Sequence, residues 1–295
     1  PEPCTTHTFI RLTTRDGVVG CAATDSYTSH HRDAVLAQTL RDMIPDLIGR
    51  SALEREKLWQ HFQPKAYARS AQAQALIDVA LWDIAAQAAE QPLFKLLGGF
   101  RERIDAYAST PVLATPSAYV ETVQELVEKG YRAIKFHCWC DPARDLELIS
   151  QVQRAHGGEN LALMLDVEQR YDLQAALTVG RVLGEWDYAW FEAPLDDYDL
   201  AGYRQLTARL EVPVLPAGNA ITDYRLVAFV AQQHCWSRIR VDVMTCGGIT
   251  PALKIINNAA ANGIAVELQS WGHSLAQAAN LHLMLGQPTS RYFEQ

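Results

Sequence analysis

Asp166, Glu192 and Asn219 stand 26 and 27 residues apart, each at or just beyond the end of a short apolar run. That interval is about one strand–helix unit, so the three oxygen donors fall on consecutive parallel strands and converge. Two carboxylates and an amide oxygen, with room for water, suit Mg²⁺ or Mn²⁺. A lone acid usually caps a helix or sits in a loop; three in phase do not fit that reading. Upstream, Lys135 and His137 share one strand face with Trp139, while Ile134, Phe136, Cys138 and Cys140 take the other. A lysine or histidine near a metal and a second cation should have its pKa lowered, which would make either one a base. Downstream, Asp242 and His273 lie about one unit apart. An Asp that accepts one imidazole N–H leaves the other nitrogen basic, so this pair reads as an acid/base dyad opposite Lys135 and His137. Two bases facing each other across a metal could act on both faces of one carbon.

Such residues need a frame that gathers strand ends. Eight apolar runs qualify as strands: Ile104–Ser109, Ala133–Trp139, Leu161–Glu168, Ala189–Ala193, Val212–Ala217, Ile239–Met244, Ile264–Ser270 and Arg291–Glu294. Seven helical stretches alternate with them, from Pro116–Lys129 to Leu275–Leu285. Near-continuous apolar strands suit a sheet buried on both faces. The regular spacing, with no GxGxxG beside a strand, favours a closed β/α barrel over an open sheet. In a barrel the C-terminal strand ends share one mouth, which adds Glu168, Trp139, Trp271 and Glu294 as candidate substrate contacts. Ahead of the barrel, residues 7–23 read as a hairpin turning at Asp16-Gly17, followed by helices at Arg32–Ile48, Leu53–Phe62 and Ser70–Glu90. Residues 1–103 are therefore read as an α+β capping domain and 104–295 as the barrel. The cap loops Thr24–Arg32, with His30 as a candidate substrate contact, and Gln63–Arg69 are expected to carry specificity. Trp59, Trp82, Trp186, Trp190 and Trp236 read as packing.

Composition narrows the class. A chain of 295 residues with 48% hydrophobic and 20% charged residues can build a large core. Its net charge of −8 does not suit a generic nucleic-acid binder. No apolar run approaches the ~20 residues needed to span a bilayer. The opening Pro-Glu-Pro-Cys-Thr lacks the basic and apolar regions of a secretory signal. A soluble, cytoplasmic protein with neither membrane nor nucleic-acid partner is expected. Six cysteines spread along the chain are expected to be thiols, not bridges.

Several motifs together resemble the enolase superfamily, and within it the mandelate racemase / muconate lactonizing enzyme family. Asp78-Val79-Ala80-Leu81-Trp82-Asp83, Gln91-Pro92 and Leu96-Leu97-Gly98-Gly99 look like the opening of its barrel. Gly130 to His137 resembles its Lys-x-Lys strand. Leu165-Asp166, Phe191-Glu192-Ala193-Pro194 and Ala217-Gly218-Asn219 resemble its metal-ligand strands, and Asp242 to Thr250 with His273 its dyad. Glu294 falls where the family often has a substrate-contacting acid. The resemblance implies a modified (β/α)7β barrel with an N-terminal α+β cap, assembled as a homo-oligomer and using Mg²⁺. It also implies removal of the α-proton of a small carboxylate substrate through an enediolate. Dehydration of an acid sugar to a 2-keto-3-deoxy acid is the leading expectation. Racemisation, epimerisation or cycloisomerisation of a hydroxy acid or sugar lactone is the alternative, and a catalytically inactive binding relative a further one. Two positions depart from the pattern: Asn219 stands where the family usually has Glu, and His137 where it has Lys. The family pattern extends past both ends of this sequence, so further terminal segments are expected.

Overall fold

The computed structural model describes residues 6–25 and 30–295, apart from the side chains of 25, 30 and 31. His30, expected to touch substrate, lies outside the described side chains. Strands β1 (His7–Thr13) and β2 (Val19–Asp25) pair antiparallel across a turn at Gly17, whose φ of 92° favours glycine. Helix α1 (His30–Met43) stops short of the expected Ile48, because Pro45 cannot donate an N–H and the residue before it resists helix. Helices α2 (Arg55–Phe62) and α3 (Ala71–Ala88) follow, then a single turn, α4 (Leu93–Leu96). The hairpin lies against α3 so closely that a Cβ on Gly20 would stand 2.1 Å from the Ala80 carbonyl oxygen.

Strand and helix then alternate. The strands are β3 (Asp105–Thr110), β4 (Ala133–His137), β5 (Ala162–Asp166), β6 (Trp190–Glu192), β7 (Val214–Leu215), β8 (Arg238–Val241), β9 (Ala265–Leu268) and β10 (Tyr292–Glu294). Between them run α5 (Pro116–Glu128), α6 (Pro142–His156), α7 (Leu173–Glu185), α8 (Leu200–Arg209), α9 (Tyr224–Gln232), α10 (Ile249–Ala261) and α11 (Ser274–Gly286). Thr115, Asp141, Asp172, Asp199 and Asp223 cap α5 to α9 through their side-chain oxygens. Six strands form one parallel sheet in the order β10-β3-β4-β5-β6-β7, and β8 and β9 form a second. Serines bridge the two seams. Ser237 joins β8 to Val214 through its N–H and its Oγ, at 3.0 and 3.1 Å. Ser290 and Ser270 join β9 to β10, the latter through two 3.0 Å bonds with Glu294.

The alternation of side chains divides the interior into layers. Ile134, Phe136, Leu165, Phe191 and Val214 point outward into the main core under the helices. Tyr107, Ala133, Met164, Trp190, Leu215 and Tyr292 point inward and close the barrel with an apolar floor. Two residues on, toward the C-terminal ends, the same parity brings Lys135, Asp166, Glu192 and Glu294 inward. The five described cysteines are free. Among the described residues, no helix is long and apolar enough to cross a membrane.

Candidate active site

Above the apolar floor, two cations interleave with three carboxylates. Lys135 Nζ lies 2.9 Å from Glu294 Oε1 and 3.4 Å from both Asp166 Oδ2 and Glu192 Oε2. Arg240 Nη2, delivered by β8, lies 3.0 Å from Glu192 Oε1, 3.3 Å from Glu294 Oε2 and 3.2 Å from the Tyr107 hydroxyl. With His137 neutral, the cluster carries one net negative charge. Burial disfavours the Lys135 ammonium, but Glu192, Glu294 and Asp166 outweigh it and hold the pKa well above the ordinary lysine value. Among these protein charges alone, the direction is opposite to the lowering expected for a lysine beside a metal, and Lys135 is held as an ammonium. Burial works against the Glu294 carboxylate, but Lys135 and Arg240 outweigh it and pull the carboxyl down to about 2.

His137 sits beside this cluster. Its Nδ1 is 2.8 Å from the Thr110 carbonyl oxygen, which can only accept, so Nδ1 carries a hydrogen and Nε2 is the nitrogen that gains or loses a proton. Nε2 lies 3.4 Å from Asp166 Oδ2. Burial works against the imidazolium, but Asp166 and the Thr110 carbonyl more than compensate and the pKa rises above the ordinary value. Asp166 is itself oriented by the Glu168 N–H, 3.0 Å from Oδ1. Glu168 and Gln169 both have positive φ, 48° and 63°, a turn that non-glycine residues adopt at a cost and that places Glu168 at the rim. Trp190 donates its indole N–H to Glu192 Oε2 at 3.0 Å. Asp197, 1% exposed, accepts the backbone N–H groups of Ala217, Asn219 and Ala220 at 2.9, 3.1 and 3.1 Å. That anchor fixes the loop carrying Asn219.

A cavity of about 770 Å³ opens at the C-terminal strand ends. Lys135, His137, Asp166, Glu168, Glu192, Asn219, Trp271 and Glu294, all named from the sequence, line it. Trp139, Asp242 and His273 are not in its wall. β4 ends at His137, and Trp139 packs against Tyr119 beneath the Arg144 guanidinium. β8 ends at Val241, and Asp242 Oδ1 accepts from Met244 N–H and Asn280 Nδ2, both at 2.9 Å. His273 caps α11, its Nδ1 accepting the Leu275 N–H at 3.1 Å. An Nδ1 that accepts cannot also donate to Asp242, so in this structure the two residues of the expected dyad are not joined through Nδ1. Arg240, Trp190 and Asp197 were missed. Arg240 and Trp190 each lie two residues before a named candidate, and a charge inside an apolar strand was the available signal.

Among the described residues, no three His, Cys, Asp or Glu side chains form a ready metal cage. Asp166 Oδ2 and Glu192 Oε2 nevertheless converge on one point, now held by Lys135 Nζ, and Asn219 lines the same cavity. Two carboxylates plus an amide oxygen form a hard-oxygen set of the kind Mg²⁺ accepts.

A parallel β/α barrel with its charged groups gathered at the C-terminal strand ends has the site architecture of the barrel enzymes. Residues 118–295 match the enolase C-terminal domain-like family, and residues 4–98 match the mandelate racemase / muconate lactonizing enzyme N-terminal domain. The chain belongs to this family of the enolase superfamily. It is 30% identical to the L-talarate/galactarate dehydratase of Salmonella typhimurium, covering 96% of this chain and 71% of that protein. It is 25% identical to the N-succinyl-L-Arg/Lys racemase of Bacillus cereus, over 93% and 75%. With the 3,6-anhydro-alpha-L-galactonate cycloisomerase of Streptomyces coelicolor the identity is 28%, over 97% and 79%. Among solved structures, the D-glucarate dehydratase of Agrobacterium tumefaciens complexed with magnesium superposes with a TM-score of 0.85 at 31% identity, over 98% and 77%. The relatives thus include dehydratases, a racemase and a cycloisomerase.

Proposed function

We propose that this protein is an Mg²⁺-dependent acid-sugar dehydratase that converts an aldonate or aldarate to a 2-keto-3-deoxy acid. The observation that carries this reading is the His137 imidazole. Its Nδ1–H is held by Thr110, and its Nε2 lies in the wall of a cavity shared with Lys135, Asp166, Glu192 and Asn219. Asp166, Glu192 and Asn219 would hold the metal. When bound, a divalent cation supplies Lewis-acid stabilisation of negative charge on the substrate carboxylate. Lys135, fixed as an ammonium, adds a second positive charge beside it. His137 Nε2 takes the α-proton, and the C–H electron pair moves toward the carboxylate. The imidazolium then returns that proton to the β-hydroxyl on the same face, which leaves as water, and the enol that remains becomes the ketone.

Two further observations support elimination from a polyol. The rest of the wall is rich in neutral hydrogen-bonding groups, among them Ser109, Gln169, Gln269, Gln277 and Gln295. Racemisation needs a second base on the opposite face, and His273, the residue expected there, has its Nδ1 engaged by the Leu275 N–H. A panel of aldonates and aldarates with Mg²⁺, assayed for 2-keto-3-deoxy acid as the semicarbazone, tests the reading. Turnover of some other carboxylate with no product from any acid sugar would overturn it.

A further inference from the structure

The elimination above gives no task to Arg240, yet this residue occupies the middle of the site. Arg240 is 3% exposed and lines the cavity. Nη2 alone reaches Glu192, Glu294 and Tyr107, while Nε is buried with no hydrogen-bond partner. Leaving a buried donor unpaired costs free energy. The surrounding backbone is built to admit it. Gly218, with φ 73°, passes so close that a Cβ there would stand 2.8 Å from the Arg240 Cβ and carbonyl oxygen. That glycine precedes Asn219, so the neutral donor and the extra cation belong to one junction between the β7 loop and β8.

Both features weaken the pull on a metal. Asn219 brings no charge, and Arg240 compensates Glu192 from 3.0 Å. We propose that Arg240 is a positioning residue that lowers the affinity of the Asp166–Glu192–Asn219 set for a divalent cation and keeps the loaded site electropositive for the substrate carboxylate. The charge count gives the direction. Two cations and three carboxylates leave −1, so a divalent cation brings the cluster to +1, matched to one carboxylate. Without Arg240 the empty cluster is −2 and the loaded one neutral. Losing Arg240 should therefore tighten the metal and loosen the carboxylate, a crossing that simple loss of structure cannot produce.

This inference rests on the metal reading above, and the test separates the two. Mn²⁺ binding is followed by the electron paramagnetic resonance of the free ion. Carboxylate binding is followed by calorimetry with L-lactate at saturating Mg²⁺, an α-hydroxy carboxylate with no β-hydroxyl to lose. Arg240→Gln, which keeps a hydrogen bond to Glu192 without the charge, should bind Mn²⁺ at least about tenfold more tightly and L-lactate at least about fivefold more weakly. Arg240→Lys should stay within about threefold of wild type on both, and Arg240→Met replaces the glutamine variant if that one does not fold. Equal Mn²⁺ affinity in wild type and variant, or both ligands weakened together, overturns the role of Arg240 and leaves the metal reading standing. No Mn²⁺ uptake by either protein overturns both.

Discussion

The Thr110 carbonyl oxygen lies 2.8 Å from His137 Nδ1, and this contact decides which ring nitrogen can take a proton. A carbonyl has no hydrogen to give, so the imidazole donates there and presents Nε2 toward Asp166 and the cavity. Lys135, two residues earlier on the same strand face, is held as an ammonium by three carboxylates. Under the proposed elimination, the two side chains that the sequence left as equal candidates for the base take separate roles, His137 as the base and Lys135 as a neighbouring positive charge.

Removing that fixed charge should be costly. Lys135→Met leaves Arg240 as the cation beside Glu192 and Glu294 and only His137 beside Asp166, and stripping one partner from a buried charge cluster typically costs about 3–5 kcal/mol. Urea denaturation without divalent ions should show this loss. Added Mg²⁺ should restore stability to the variant more than to wild type, because Asp166 and Glu192 would hold the ion in place of the lost ammonium charge. Equal Mg²⁺ effects on both proteins would contradict that placement.

Asp197 makes a separate prediction about the Asn219 loop. Its carboxylate accepts three backbone N–H groups while 1% exposed. Asp197→Ala should cost about 2–4 kcal/mol, since three backbone donors, that of Ala217 buried, lose a charged acceptor. Mn²⁺ affinity should fall with it. Asp197→Asn, which keeps one acceptor oxygen, should fall between the two in urea midpoint.

The junction between cap and barrel should respond to pH. Asp78, on α3, accepts the Thr250 N–H at 2.9 Å and its Oγ–H at 2.6 Å at the start of α10. Burial raises its pKa from 3.8 to about 6 despite those bonds and the Arg55 charge. The folded protein therefore binds a proton that the unfolded chain has released. The associated stability, on the order of 3 kcal/mol, is fully present below about pH 4 and is lost as pH rises through about 6. Asp78→Asn should flatten the decline of stability between pH 4 and 6 in denaturant titrations; an unchanged slope would assign that decline to other groups.

Strand–helix alternation made the order of elements legible, and parity found Lys135 and His137 because β4 continues through both. Parity failed one step later. β4 ends at His137, and Cys140 turns with φ 58°, so Trp139 leaves the face that its number suggests. The same error displaced Asp242, which lies one residue beyond β8 and turns to Asn280. Looking only at strand ends also hid Arg240, a charge within the strand itself. The capping role of His273 was hidden for a different reason: histidine is not among the usual capping residues, and nothing in its neighbours announces that its ring closes the start of α11.

The central claim is that His137 removes the α-proton, and exchange in D₂O tests it most directly. With Mg²⁺ and an acid sugar that the wild type converts, proton NMR should show deuterium at C3 of the 2-keto-3-deoxy product. His137→Asn should lower the rate of α-proton loss by at least about a hundredfold while leaving Mn²⁺ affinity within a few-fold of wild type. Loss of the α-proton at the wild-type rate in the His137→Asn protein would contradict the account and return the role of base to another residue.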